Sequence, residues 1–128
     1  MIRAVIPTSS DFALYKNELK KMYEENQTKI HDTNSFDFII QNTLFYGFID
    51  ENCALIGAIY FFVDEDGKLF LNAYAGRGHH EENLECVRLS TTWFSCDIYA
   101  EAQNRASALC LLRCGFRRLK DNIFVFRK

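Results

Sequence analysis

This sequence has little proline: Pro7 is the only one in 128 residues. No stretch rich in proline, glycine or serine interrupts it, so it carries no linker of the kind that separates domains. It has little excess charge. A net charge of −2 and a pI near 5.9 provide no concentrated basic surface, which argues against nucleic acid and anionic membrane as partners. Long apolar runs are also missing, and nothing approaches the roughly 20 residues that a membrane-spanning helix needs. The opening Ile2-Arg3-Ala4-Val5-Ile6 is cut short by Pro7 and does not read as a secretory leader. Cysteine number is odd, at five, and the cysteines are scattered. They read as free thiols in a reducing cytoplasm. Cys110 and Cys114 share one helix face by their spacing, but no nearby Cys or His completes a zinc set, so no metal is expected. No repeat or low-complexity segment is present.

What remains is 48% hydrophobic residues, enough for one compact α/β domain over residues 1–128 and too few for two. Ile2 to Ile6 is short and branched, a strand. Thr8 to Asp11 then supplies helix caps, and Phe12, Tyr15, Leu19 and Met22 recur at helical spacing to form one apolar stripe. Asn26 to Thr33 is polar and reads as a loop. A second helix is expected from Ser35 to Leu44, burying Phe36, Ile39, Ile40 and Leu44. Three strands follow, Tyr46 to Asp50, Ala54 to Val63 and Lys68 to Ala75, joined by short turns as antiparallel hairpins require. The middle one is apolar on both faces and belongs in the centre of the sheet. Gly76 to His80 breaks the pattern. A helix from Glu81 to Thr91, a strand from Trp93 to Ala100, a helix from Asn104 to Cys114 and a hairpin of Arg117–Lys120 with Ile123–Arg127 complete the order β-α-α-β-β-β-α-β-α-β-β. The basic residues gathered near the C-terminus read as a solvated strand edge.

The segment Asn104 to Phe116 begins with a capping residue, runs through a compact apolar helix and ends at Gly115 followed by an aromatic. With the element order, this unit resembles the GCN5-related N-acetyltransferases (GNAT) over essentially the full length. Asn104, Ser107, Arg113, Gly115 and Phe116 fall at the family's offsets. The resemblance implies a mixed, mostly antiparallel sheet flanked by helices and an acetyl-CoA cleft covered by this helix. Two departures stand out. Where active members often carry a tyrosine that protonates departing coenzyme A, this chain has Leu111, which has no proton to give. The family's pyrophosphate loop is represented by the shorter Gly76-Arg77-Gly78-His79-His80, followed by Glu81 and Glu82. Carboxylates in a first helical turn oppose a second anion there.

For the cofactor, the resemblance points to Gly76 and Gly78 as sources of bare amides, Arg77 as a phosphate partner and Asn104 as a contact to the pantetheine arm. Asn104 serves equally well as a plain N-cap. His79 could act as general base, as could its neighbour His80; both could equally be polar residues of an exposed loop. Tyr74 and Asn72 fall where the family places its acetyl contacts, or they are a core-edge tyrosine and a turn-facing asparagine. Glu101, just past the fifth strand, is another candidate base or a solvated carboxylate. Trp93, Phe61, Phe62, Phe124 and Phe126 read as packing. Two functions follow. One is an N-acyltransferase moving an acetyl group from acetyl-CoA to a primary amine with eroded loop and catalytic motifs. The other is a non-catalytic protein of the same fold that works through a protein partner, such as a phage internal virion protein, which the opening Ile2-Arg3, Pro7-Thr8 and Asp11-Phe12 faintly resembles, or a host-enzyme antagonist.

Overall fold

The computed structural model describes residues 2–128. Its elements are β1 (Arg3–Val5), α1 (Phe12–Ile30), α2 (Phe36–Asn42), β2 (Leu44–Ile49), β3 (Leu55–Val63), β4 (Leu69–Ala75), α3 (His80–Ser90), β5 (Ile98–Glu101), α4 (Arg105–Arg113), β6 (Arg117–Lys120) and β7 (Ile123–Phe126). The order is the one expected, with a 3-10 turn, Thr91–Trp93, added after α3. The seven strands form one sheet in the order β1-β2-β3-β4-β5-β7-β6. Every pairing is antiparallel except that of β4 with β5.

Two cores lie on opposite faces, because alternate residues of each strand point opposite ways. On one face Ala58, Tyr60 and Tyr74 meet α1 and α2 through Phe12, Leu19, Tyr23, Phe36 and Ile39. Aromatic rings form a connected chain there, Tyr74 to Tyr23 to Phe36 to Phe45 to Tyr60, with centroids 5.7–6.2 Å apart. Each such pair contributes about 1 kcal/mol beyond its burial. On the other face Ile59, Phe61 and Leu71 meet α3 and α4 through Leu84, Val87 and Leu111. Gly115 ends α4 at φ +92, a left-handed turn that favours glycine, and returns the chain to the buried Phe116.

Four expectations need correction. The polar segment from Asn26 is not a loop: α1 continues to Ile30, and the buried positions Phe12, Leu19, Tyr23 and Ile30 carry the stripe about two turns past Met22. Helix α2 ends at Asn42, and Leu44 starts β2 with its side chain half exposed. No strand begins at Trp93; the 3-10 turn occupies that position and β5 starts at Ile98. The all-buried run Leu55 to Phe61 does form β3, but β3 is third in the sheet and β4 takes the central place. The basic strand β6 is an exposed sheet edge, as anticipated.

Candidate functional site

The parallel pair is where the site opens. Strands β4 and β5 are paired only at Leu69↔Ile98 and Phe70↔Tyr99; beyond that they separate. Gly76 N donates to Ile56 O at 2.8 Å, so the even-numbered residues of β4 turn their backbone groups toward β3. By alternation, Ala73 and Ala75 turn theirs toward the gap that β5 has left. The Ala73 N–H is occupied by Asn72 Oδ1 at 2.9 Å. The Ala73 carbonyl and both groups of Ala75 therefore form a short free backbone edge.

A cavity of about 250 Å³ fills this gap and reaches both faces of the sheet. Asn26, Lys29 and Ile30 of α1 line it on one side, and Asn83, Leu84 and Val87 of α3 on the other. Leu111 lines it from α4 beside the thiols of Cys110 and Cys114 and itself has no ionisable group. Of the candidate site residues read from the sequence, Asn72, Tyr74, His80, Glu101 and Asn104 line this cavity. Asn104 is also the N-cap of α4, accepting from Ser107 N while Ser107 Oγ reaches back to Asn104 N. Gly76 and Arg77 border an adjoining cavity with Lys21, Lys29 and His80. His79 and Gly78 line neither. Gly78 makes the chain reversal at φ +84, and His79 Nδ1 lies 2.6 Å from Glu82 Oε1.

Tyr74 points away from chemistry. Its hydroxyl donates to Leu19 O at 3.0 Å inside the α1 core, and burial raises its pKa above the ordinary phenol value. Glu101 is exposed and borders both this cavity and a third one beside the end of α1. That third cavity holds Asp32 and Asp64, with Phe62 and Phe70. Asp32 accepts from Tyr60 Oη at 2.7 Å, and Asn72 Nδ2 donates to the same hydroxyl at 3.0 Å. Gln103 and Asn72 both reach Ile30 O, at 3.5 and 3.4 Å, tying the end of α1 across the cleft. Sequence reasoning missed Ile30, Asp32 and Gln103 because it had ended α1 too early. Continuation of the apolar stripe to Ile30 was the available signal.

The start of α3 answers the concern about its glutamates. The first intrahelical bond runs from Asn83 N to His79 O, leaving the N–H groups of His80, Glu81 and Glu82 as the helix's unsatisfied donors. Neither carboxylate is left alone. Glu82 meets His79, and Glu81 forms a two-pronged pair with Arg113 of α4 at 3.0 and 2.8 Å. Hydrogen bonding to Arg113 holds the Glu81 carboxyl below the usual carboxylate range.

Structural comparison matches this arrangement to solved acetyltransferases. A ribosomal-protein-S5-alanine acetyltransferase from Vibrio fischeri superposes with a TM-score of 0.70 at 14% identity, covering 99% of this chain and 92% of that one. The chain has the GNAT fold. An N-acetyltransferase from Staphylococcus aureus Mu50 gives a TM-score of 0.70 at 15% identity, covering 99% and 97% of the two chains. A GNAT phosphinothricin acetyltransferase from Sinorhizobium meliloti, solved in complex with AcCoA, gives 0.66 at 16% identity, covering 94% and 76%. No protein-family model matches the sequence, and no curated protein matches it. Among the described residues no helix is long and apolar enough to cross a membrane, and no cluster of His, Cys, Asp and Glu could hold a metal.

Proposed function

We propose that this GNAT-fold chain is an N-acyltransferase that takes an acetyl group from acetyl-CoA and delivers it to a primary amine. The observation that carries this reading is the divergence of β4 from β5, which leaves a free backbone edge at Ala73 and Ala75 beside the unbonded start of α3. An extended arm with amide groups, such as pantetheine, can lie along that edge as an added strand does. Its phosphates would meet the α3 N–H groups with Arg77, Lys21 and Lys29, three cations that outnumber Glu18 and Glu25 on the same cavity. The residues therefore fit the donor. When bound, acetyl-CoA supplies an acyl group activated as a thioester.

Glu101 is the general base of this scheme. It stands where the donor cavity meets the third cavity, so an amine entering past Asp32 and Asp64 arrives beside its carboxylate. Glu101 takes a proton from the ammonium form, leaving the neutral amine free to attack. Leu111 cannot return a proton to the leaving thiolate, which departs as the anion and is protonated by water. Tyr74 holds α1 to β4 rather than acting on substrate.

The test is calorimetric titration with coenzyme A and acetyl-CoA, followed by thiol release with a panel of primary amines. Ligand at about a hundred times its dissociation constant should raise folding stability by roughly 2.7 kcal/mol. Glu101→Gln should slow transfer about 100-fold while leaving coenzyme A affinity unchanged. No binding at millimolar coenzyme A would end the reading. One observation favours a second one, a non-catalytic protein of this fold acting through a protein partner. Two loop amides, Gly76 N and His79 N, are already bonded within the chain, and Leu111 on the cleft wall has no proton to give. Binding without transfer to any amine, together with a defined partner on purification from the native source, would favour that second reading.

A further inference from the structure

Asn83 is out of place by the rules of helix packing. It sits in α3 on the face turned to the sheet, only 8% exposed, among the apolar residues Leu84, Cys86 and Val87. Its Oδ1 is the only buried side-chain nitrogen or oxygen among the described residues that lacks a hydrogen-bond partner. A buried carbonyl without a donor destabilises the fold, and an isosteric leucine at the same place would not. The fold also makes room for it. A Cβ on Gly57 of β3 would stand 2.9 Å from Asn83 Oδ1 and 2.3 Å from Tyr74 O, so the carboxamide occupies a notch that glycine alone leaves open. This notch belongs to the wall of the donor cleft, which Asn83 lines together with Tyr74 and Ala75.

We infer that Asn83 is a ligand-positioning residue, whose Oδ1 accepts a hydrogen bond from an amide N–H of the pantetheine arm in the β4/β5 cleft. The inference rests on the acyl-CoA reading of that cleft and adds a residue to it. The oxygen is sealed against Gly57 as it stands. Rotation about χ2, which is broad in asparagine, turns it toward the cleft. Pantetheine carries two amide N–H groups and so can supply the donor that the protein withholds. An amide N–H entering the cleft loses its water and needs an acceptor; beside the backbone carbonyls of Ala73 and Ala75, Asn83 Oδ1 is the buried side-chain acceptor still free. With its oxygen against Gly57, Asn83 lowers the stability of the empty fold, and a ligand amide in the cleft supplies the donor it lacks, as expected of a binding residue.

The experiment compares wild type with Asn83→Leu and Asn83→Ala by thermal denaturation without ligand and by calorimetry with two probes. The probes are coenzyme A and ADP, which shares the diphosphate and lacks pantetheine. Asn83→Leu should keep or raise the melting temperature and weaken coenzyme A binding roughly tenfold, while ADP binding is unchanged. Should Asn83→Leu fold poorly, Asn83→Ala must show the same split between the two probes. Unchanged coenzyme A affinity, or equal loss for both probes, overturns the role of Asn83 and leaves the acyl-CoA reading intact. A wild-type protein that binds no coenzyme A overturns both.

Discussion

Strand β4 has two edges that were built differently. Against β3 it is paired over its whole length, from Leu69↔Val63 to Ala75↔Gly57, without a break in register. Against β5 it is paired at two positions. The first partner arrives through a short turn at Asp64–Lys68, where Asp64 Oδ1 accepts from Asp66 N and Lys68 N. A tight hairpin leaves neighbouring strands no freedom to separate. The second partner arrives after a helical crossover, as parallel strands require, and its direction is set by how α3 packs on the sheet. One edge therefore serves stability and the other is left unpaired. The proposed function uses backbone that folding did not.

Raising the pH should break the β3 side first. Tyr60 and Tyr74 lie on this side, with Tyr23 packed against them, and burial raises all three phenols above their ordinary pKa of about 10. Above about pH 10 the unfolded chain loses phenol protons that the folded chain keeps, so stability falls as pH rises toward the folded-state values. Each tyrosine contributes a loss of roughly 1.4 kcal/mol per pH unit in that window. The Cys86 thiol, pushed up by burial to about 12, begins the same loss nearer pH 9. Denaturant midpoints measured from pH 7 to 11 should be lower at each step above 9 and collapse near the top. A flat profile would mean that the aromatic core is not closed to water.

Gly57→Ala tests the same edge sterically. Its new Cβ would meet the backbone of Tyr74 and Ala75 at 2.3 and 2.8 Å, which no side-chain rotation relieves. A loss of about 3 kcal/mol in urea denaturation is expected. Tyr60→Phe removes a hydroxyl that donates to Asp32 and accepts from Asn72, and should cost about 1.5 kcal/mol. The cleft side should respond in the opposite sense. Glu81→Gln frees Arg113 at the start of α3, leaves the denaturation midpoint within replicate scatter, and strengthens coenzyme A binding about twofold as one anion is removed. Weaker binding would show that the Glu81–Arg113 pair helps to form the phosphate site.

The element order was legible because its signals are local. The stripe of Phe12 and Leu19, the Asp64–Lys68 turn, and the box of Asn104 with Ser107 all act within one or two turns of chain. The misreadings came where local and distant forces disagree. Asn26 to Ile30 is polar enough for a loop, yet Ile30 is held by burial and its carbonyl by Asn72 and Gln103 from 42 and 73 residues away. Trp93 looks like the start of a strand, but its ring packs on Tyr46 at 4.7 Å and on Phe48 at 6.1 Å, which keeps that segment on the sheet's face. Of the site, Asn72, Tyr74, His80, Glu101 and Asn104 were found by position. The direction in which Tyr74 points was not, since its partner Leu19 lies 55 residues away.

By itself the sequence determined where helices and strands form, that glycine must end α4, and that no acid stands at Leu111, because hydrophobic period, capping and side-chain identity are properties of short segments. Tertiary structure alone decided which edge of β4 is free, that Glu81 and Glu82 are each paired, and that Asn83 faces the sheet without a donor. Those depend on how a crossover helix settles against a twisted sheet, a sum of many distant contacts that no short segment contains.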